Sequence, residues 1–241
     1  MAHQSQTTEY KEWGNFIPYF KKAWKQGEHV SVIGATGSGK SYLSLQLIKT
    51  RSYYLLLLTK GNDRTLDTFI NQNELEVIRQ WPPSGFSDKV ALWPVFKGVD
   101  SFQVQSTVMR NAINGYRKGT KKIDGIYVEG GWSVLIDEVM YFQDQLHLQN
   151  ELMMLWTQGR SNNISLLAST QRPRDVPQLM LNQWSHLFVF QTSDKYEVDR
   201  LAAIGGNISS IIKTEVPKLE QHEFLYINRI SQYAVRSKVN K

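Results

Sequence analysis

The chemistry in this chain is concentrated in one glycine-rich run, Gly34-Ala35-Thr36-Gly37-Ser38-Gly39-Lys40-Ser41. It follows an apolar stretch and opens into a helical pattern, and it fits G-x-x-x-x-G-K-[ST]. Glycines at Gly34, Gly37 and Gly39 let backbone N–H groups converge on phosphate oxygens with no Cβ in the way. The N-terminus of the following helix adds the positive end of its dipole. Lys40 is expected to reach β- and γ-phosphates, and the Ser41 hydroxyl is expected to hold Mg²⁺. The residues expected to surround the bound nucleotide are therefore Gly34 to Ser41, with Tyr42 just beyond.

A second acidic element is Trp132-Ser133-Val134-Leu135-Ile136-Asp137-Glu138. An apolar strand that ends in two carboxylates presents them at the edge of an α/β sheet where ligands bind. Asp137 is the expected metal ligand, directly or through water. Glu138 points to a different side and is the expected base that polarises an attacking water. A third run, Ile164-Ser165-Leu166-Leu167-Ala168-Ser169-Thr170, ends in Gln171. If this strand lies between the other two, Gln171 emerges beside the γ-phosphate. Its amide can donate to a phosphate oxygen and accept from a water.

The elements needed to position these groups are legible as alternating strands and helices, which predicts an α/β fold with a mostly parallel sheet flanked by helices. Pro18 suits the first turn of an N-terminal helix that carries Phe20, Ala23 and Trp24 at helical spacing and ends at Gly27. Strands are expected at 29–34, 53–59, the VALWPV run, 132–137, 164–169 and 186–192. Helices are expected after Ser41, over 102–116 and over 145–157. FLYIN and YAVRS read as a closing hairpin. Tyr53 to Thr59 is apolar throughout, as for a strand covered on both faces. No linker or repeat interrupts the 241 residues. One domain over 1–241 is expected, with a core of about 27–206, a helix within 1–27 and a hairpin within 207–241 as additions.

Cysteine is absent, which excludes disulfides and thiol chemistry and fits a reducing, cytoplasmic setting. The start MAHQSQTTEY is polar, so no secretion signal is expected, and no run is long and apolar enough to enter a membrane. His29, His147, His186 and His222 show no metal-ligand spacing. The formal net charge of +6 is compatible with a polyanionic partner.

Taken in order, TGSGKS, VLIDE and GRSNNISLLASTQRPRDVP resemble the FtsK/HerA group of P-loop ATPases. The last of these is the most specific: a glycine-arginine pair, a spacer, a strand and then T-Q-R-P. HLFVFQTSDKYEVDRLAAIGG continues the resemblance, which covers about Gly27 to Gly206. The group includes DNA translocases and viral genome-packaging ATPases, and the compactness of this chain is similar to the latter. The resemblance implies a RecA-like P-loop NTPase core, ATP with Mg²⁺, double-stranded DNA as partner and a homo-oligomeric ring, typically a hexamer. For a packaging motor it also implies contact with virion vertex or portal proteins and work in the host cytoplasm or at the virion. By position, Arg160 would be the arginine that reaches a neighbouring subunit's nucleotide, where a guanidinium is worth about 10³ to 10⁵ in rate. Arg172 and Arg174 are alternative choices.

For DNA contact the candidates are Arg117, Lys118, Lys121 and Lys122, in a basic loop beside Tyr116, which could grip phosphates without reading sequence. The loop after Glu138, MYFQDQ, is another candidate pore element. An assembly or export ATPase of the same group, acting on protein or filamentous virion components, is the nearest alternative. A nucleotide-dependent scaffold or switch is the other, against which Glu138 argues. No LSGGQ-like signature is present for a transporter ATPase, and no second core for a two-domain helicase.

Overall fold

The computed structural model describes residues 8–83, 87–94, 101–117, 131–171 and 178–240. Ten strands form one sheet in the order β1-β10-β9-β8-β2-β7-β6-β3-β5-β4. In chain order they are Glu9–Tyr10, Val30–Ile33, Tyr54–Leu57, Glu76–Ile78, Lys89–Leu92, Ser133–Ile136, Ser165–Thr170, His186–Phe190, Glu223–Asn228 and Tyr233–Lys238, β1 to β10. The run from β8 to β4 is parallel throughout. The closing hairpin β9–β10 adds antiparallel to β8, and the short β1 adds parallel to β10.

Eight α-helices are described: α1 Trp13–Ala23, α2 Lys40–Ile48, α3 Arg64–Gln72, α4 Ser101–Arg117, α5 Gln149–Gln158, α6 Gln178–Gln183, α7 Lys195–Ile204 and α8 Ser209–Glu215. No helix of the described residues is long and apolar enough to cross a membrane. Every residue of β2, β3, β6, β7 and β8 is buried, because helices cover both faces. The alternation of the strands sorts side chains between two cores. On β7, Leu166 and Ala168 join the core beneath α4, α5, α7 and α8, while Leu167 joins the core beneath α1, α2 and α3.

Three local differences from the sequence expectation have physical causes. First, α1 begins at Trp13, which puts Pro18 inside the helix rather than in its first turn. The missing hydrogen bond is offset by packing. Phe16 sits 5.1 Å from Phe224, 5.5 Å from Tyr226 and 6.0 Å from Phe188, centroid to centroid, so the helix extends upstream to bury it. The same helix ends at Ala23 rather than Gly27, and the Trp24 indole donates to the Glu28 carbonyl across the turn that follows. Second, the helix expected over 145–157 begins later, at Gln149. A π-helical turn, Tyr141–Gln145, precedes α5, and His147, at φ 53°, separates the two. Third, the sheet edges β1 and β4 carry too few residues to show an alternation.

Candidate nucleotide site

The glycine-rich loop joins β2 to α2 at the C-terminal edge of the parallel sheet, where strand ends and helix N-termini converge. A Cβ on Gly34 would lie 2.7 Å from the Phe190 Cβ and 2.9 Å from the Ser38 Oγ, so no larger residue fits. Gly39, the N-cap of α2, has φ 109° and supplies no capping side chain, which leaves the first N–H groups of α2 facing the loop. A cleft of about 420 Å³ opens there, lined by Thr36, Gly37, Gly39, Lys40, Ser41, Tyr42, Lys60, Asp63, Thr65, Asp137, Glu138 and Gln171.

The order β2-β7-β6 places the Gln171 strand between the glycine-loop strand and the acidic strand. The register pairs Ile33 with Thr170 and Ile136 with Ala168, so Gln171, Asp137 and Glu138 emerge together. Thr36 Oγ1 donates to Gln171 Oε1 at 3.0 Å. Ser41 Oγ donates to Asp137 Oδ1 at 3.1 Å. Lys40 Nζ donates to the Ala35 carbonyl at 3.2 Å, folding back across the loop. Burial pulls the Lys40 ammonium below its ordinary value, opposed by the carboxylates of Glu138 and Asp137. Burial likewise pushes the Glu138 carboxyl above the usual carboxylate range, against the pull of Lys40 and of the Gln171 amide. A raised carboxylate beside a lysine and an amide is suited to accept a proton.

Ser41 and Asp137 offer adjacent hard oxygens. Among the described residues no cluster of three or more His, Cys, Asp or Glu side chains could hold a metal. The donor set therefore fits Mg²⁺ shared with phosphate oxygens and waters rather than a cation caged by protein.

Lys60 and His222 stand out among the residues of this region that motif spacing does not anticipate. Lys60, after β3, lies 2.6 Å from Asp137 Oδ2 and 3.3 Å from Asp63 Oδ2. Burial works against its charge, yet the two carboxylates hold its pKa above the ordinary lysine value. His222, at the start of β9, donates from Nδ1 to the Ser38 carbonyl at 3.0 Å, which ties the closing hairpin to the phosphate loop. Neither residue stands in a recognisable motif; only the strand order brings them to this edge.

Arg160 is exposed and lies at the other end of β7, in a 3₁₀ turn, Arg160–Asn162. The turn is rigidly framed. His29 donates from Nε2 to the Trp156 carbonyl at 3.1 Å and accepts from Leu166 N–H at 3.1 Å. Gly27 N–H donates to Ser165 Oγ at 2.9 Å, and the Gln26 amide donates to the carbonyls of Trp132 and Asn163, each at 2.8 Å. The six residues of β7 hold Arg160 roughly 20 Å from Gln171.

Arg117 is the last residue of α4, whereas Lys118, Lys121, Lys122, Arg172 and Arg174 lie outside the described residues. The MYFQDQ stretch is not a loop: Tyr141–Gln145 form the π-helical turn with Met140 as its N-cap, and with Glu138, Thr170 and Gln171 the stretch borders a second cavity of about 430 Å³.

No protein-family model and no curated protein matches the chain. Among solved structures it is similar to the genome packaging NTPase B204 from Sulfolobus turreted icosahedral virus 2 in complex with sulfate. That match has TM-score 0.62 and 17% identity, and covers 90% of this chain and 99% of that one. B204 has also been solved with AMP and with AMPPCP. The cytoplasmic domain of the Thermomonospora curvata Type VII secretion ATPase EccC matches with TM-score 0.54 and 19% identity, over 90% of this chain and 26% of that one. The pCW3 conjugation coupling protein TcpA, in monomer form with ATPgS, matches with TM-score 0.52 and 17% identity, over 88% of this chain and 59% of that one. The fold is that of the P-loop NTPases, and these neighbours are the packaging and FtsK/HerA-like ATPases that the sequence motifs resemble.

Proposed function

We propose that the chain is an ATP-hydrolysing double-stranded DNA translocase of the genome-packaging type, working as a subunit of a homo-oligomeric ring, a hexamer by resemblance. The observation that carries this reading is the convergence of Thr36, Gln171, Glu138, Lys40, Ser41 and Asp137 on one cleft, with the Gln171 strand between the glycine-loop strand and the acidic strand. Coverage of nearly the whole of B204 supports the packaging reading over a larger translocase.

In this reading the loop from Gly34 to Tyr42 wraps the phosphates, with Lys40 on the β- and γ-phosphates. Bound at Ser41 and Asp137, Mg²⁺ would neutralise developing phosphate charge. Glu138 takes the proton of the attacking water while Gln171 orients it and senses the γ-phosphate. Arg160 reaches the nucleotide of the adjacent subunit, because the length of β7 keeps it from its own. The rearrangement at each subunit boundary is passed to DNA held by Arg117, Lys118, Lys121 and Lys122 around a central channel. Virion vertex or portal proteins are the docking partners in that setting, and the host cytoplasm is the place of action.

A second reading is supported by the likeness to the secretion ATPase EccC: the same ring chemistry applied to a protein or filamentous cargo. Steady-state ATPase rate against protein concentration, with and without long double-stranded DNA and with Glu138→Gln as the blank, separates the two. A rate per subunit that climbs with concentration and again on DNA is expected. A rate that climbs with concentration but ignores DNA would favour the protein cargo, and one indifferent to both would sink the ring motor.

A further inference from the structure

Lys60 lines the cleft without a role in the nucleotide reading, and it occupies a decisive position. Its ammonium faces Asp137 Oδ2 at 2.6 Å, while Ser41 donates to Oδ1 of the same carboxylate. The Asp137 side chain is only 3% exposed. Its carboxylate therefore already carries a built-in cation at Oδ2, beside the Oδ1–Ser41 pair where a divalent ion shared with the nucleotide would sit. On its other side Lys60 reaches Asp63 Oδ2, 3.3 Å away. Asp63 is the N-cap of α3 and accepts from the N–H groups of Thr65 and Leu66 through Oδ1. The Lys60 backbone is pinned, since the Trp93 indole donates to its carbonyl at 2.6 Å. Freedom is left to the side chain, which lies between two carboxylates.

We propose that Lys60 is a positioning residue that acts as an internal counter-ion: it holds Asp137 when no metal–nucleotide is bound, and it yields that carboxylate to Mg²⁺ by swinging to Asp63. The inference rests on the nucleotide reading of the site. Both are cations, so Mg²⁺ approaching Asp137 and the Lys60 ammonium at Oδ2 repel each other and compete for one carboxylate. Without Lys60, Asp63, Asp137 and Glu138 would face an incoming triphosphate with Lys40 alone to balance them. The lysine thus makes the vacant cleft receptive to a polyanion and raises the Mg²⁺ concentration needed to complete it. Its move also carries the state of the cleft to the cap of α3.

The test reads binding rather than turnover. A fluorescent non-hydrolysable ATP analogue is titrated into the full chain in EDTA and across a Mg²⁺ series. In Lys60→Met, affinity in EDTA should fall about tenfold, and the Mg²⁺ concentration at half-saturation should also fall about tenfold. In Lys60→Arg, whose forked guanidinium grips a carboxylate at two points, half-saturation should move the other way. Should Lys60→Met fail to fold, as judged by its melting curve, the upward shift in Lys60→Arg still decides. Unchanged Mg²⁺ dependence in the folded variants would overturn the proposal, and so would equal weakening with and without Mg²⁺, which would put Lys60 on the phosphates instead. If wild type fails to bind the analogue under every condition, the nucleotide reading itself falls and takes this inference with it.

Discussion

Complementation between two inactive variants tests the division of the site between subunits. Arg160 stands in the turn before β7 and Gln171 just after it, and six strand residues separate them by roughly 20 Å. An extended arginine spans roughly 7 Å from Cα to guanidinium, well short of that gap. The turn that carries it cannot drift closer, because His29, Gln26 and Gly27 fasten it to α5, β6 and β7. Arg160→Ala should lower turnover by about 10³ to 10⁵ while leaving nucleotide binding intact. Lys40→Ala should abolish binding or turnover. The informative sample is the equimolar mixture, disassembled and reassembled. An interface is active when its nucleotide comes from an Arg160→Ala subunit and its arginine from a Lys40→Ala subunit. Random assembly makes about a quarter of interfaces active. A steady-state ATPase assay should therefore recover up to about a quarter of the wild-type rate from two preparations that are each dead. No recovery, in rings shown by mass to be mixed, would refute the trans assignment. Near-normal turnover by Arg160→Ala alone would do so sooner.

Glu138→Gln should bind ATP normally and hydrolyse it about 10² to 10⁴ times more slowly, as filter binding and single-turnover hydrolysis would report. Because burial raises the Glu138 pKa, the wild-type rate should fall with decreasing pH earlier than an ordinary carboxylate would dictate, and normal turnover in the variant would move the base elsewhere. Burial lowers the pKa of His29 from 6.5 to about 4, so the native state resists the proton that the unfolded chain accepts. Stability is fully present above about pH 6.5 and declines as pH falls towards 4, by about 3 kcal/mol from this group. Urea unfolding at pH 7 and pH 5 should show the decline, and His29→Gln should flatten it.

The parallel core was legible because its signals are local. β2, β3 and β7 are short apolar runs bounded by polar groups, and the glycine loop has a spacing that only phosphate chemistry explains. Strand order is not local: from sequence, β7 between β2 and β6 is only the condition under which Gln171 emerges beside both motifs, and the sheet has that order. What stayed hidden depends on pairs far apart in the chain. Pro18 misled because propensity favours a helix start, whereas the Phe16 contacts with Phe188, Phe224 and Tyr226 reward an earlier one.

His222 and Lys60 mark the same limit at the site itself. A lone histidine at the start of a hairpin and a lone lysine after a buried strand are ordinary surface residues in one dimension. The antiparallel pairing of β9 with β8 returns the chain to the C-terminal edge of the sheet, and there His222 meets Ser38. The adjacency of β3 and β6 does the same for Lys60 and Asp137. Both contacts connect the phosphate cleft to elements outside the motifs, the hairpin in one case and α3 in the other. In the proposed reading the motifs account for the chemistry of hydrolysis, and the two contacts that join the cleft to the rest of the subunit are made by residues of this second kind, whose types are unremarkable and whose positions are set by topology.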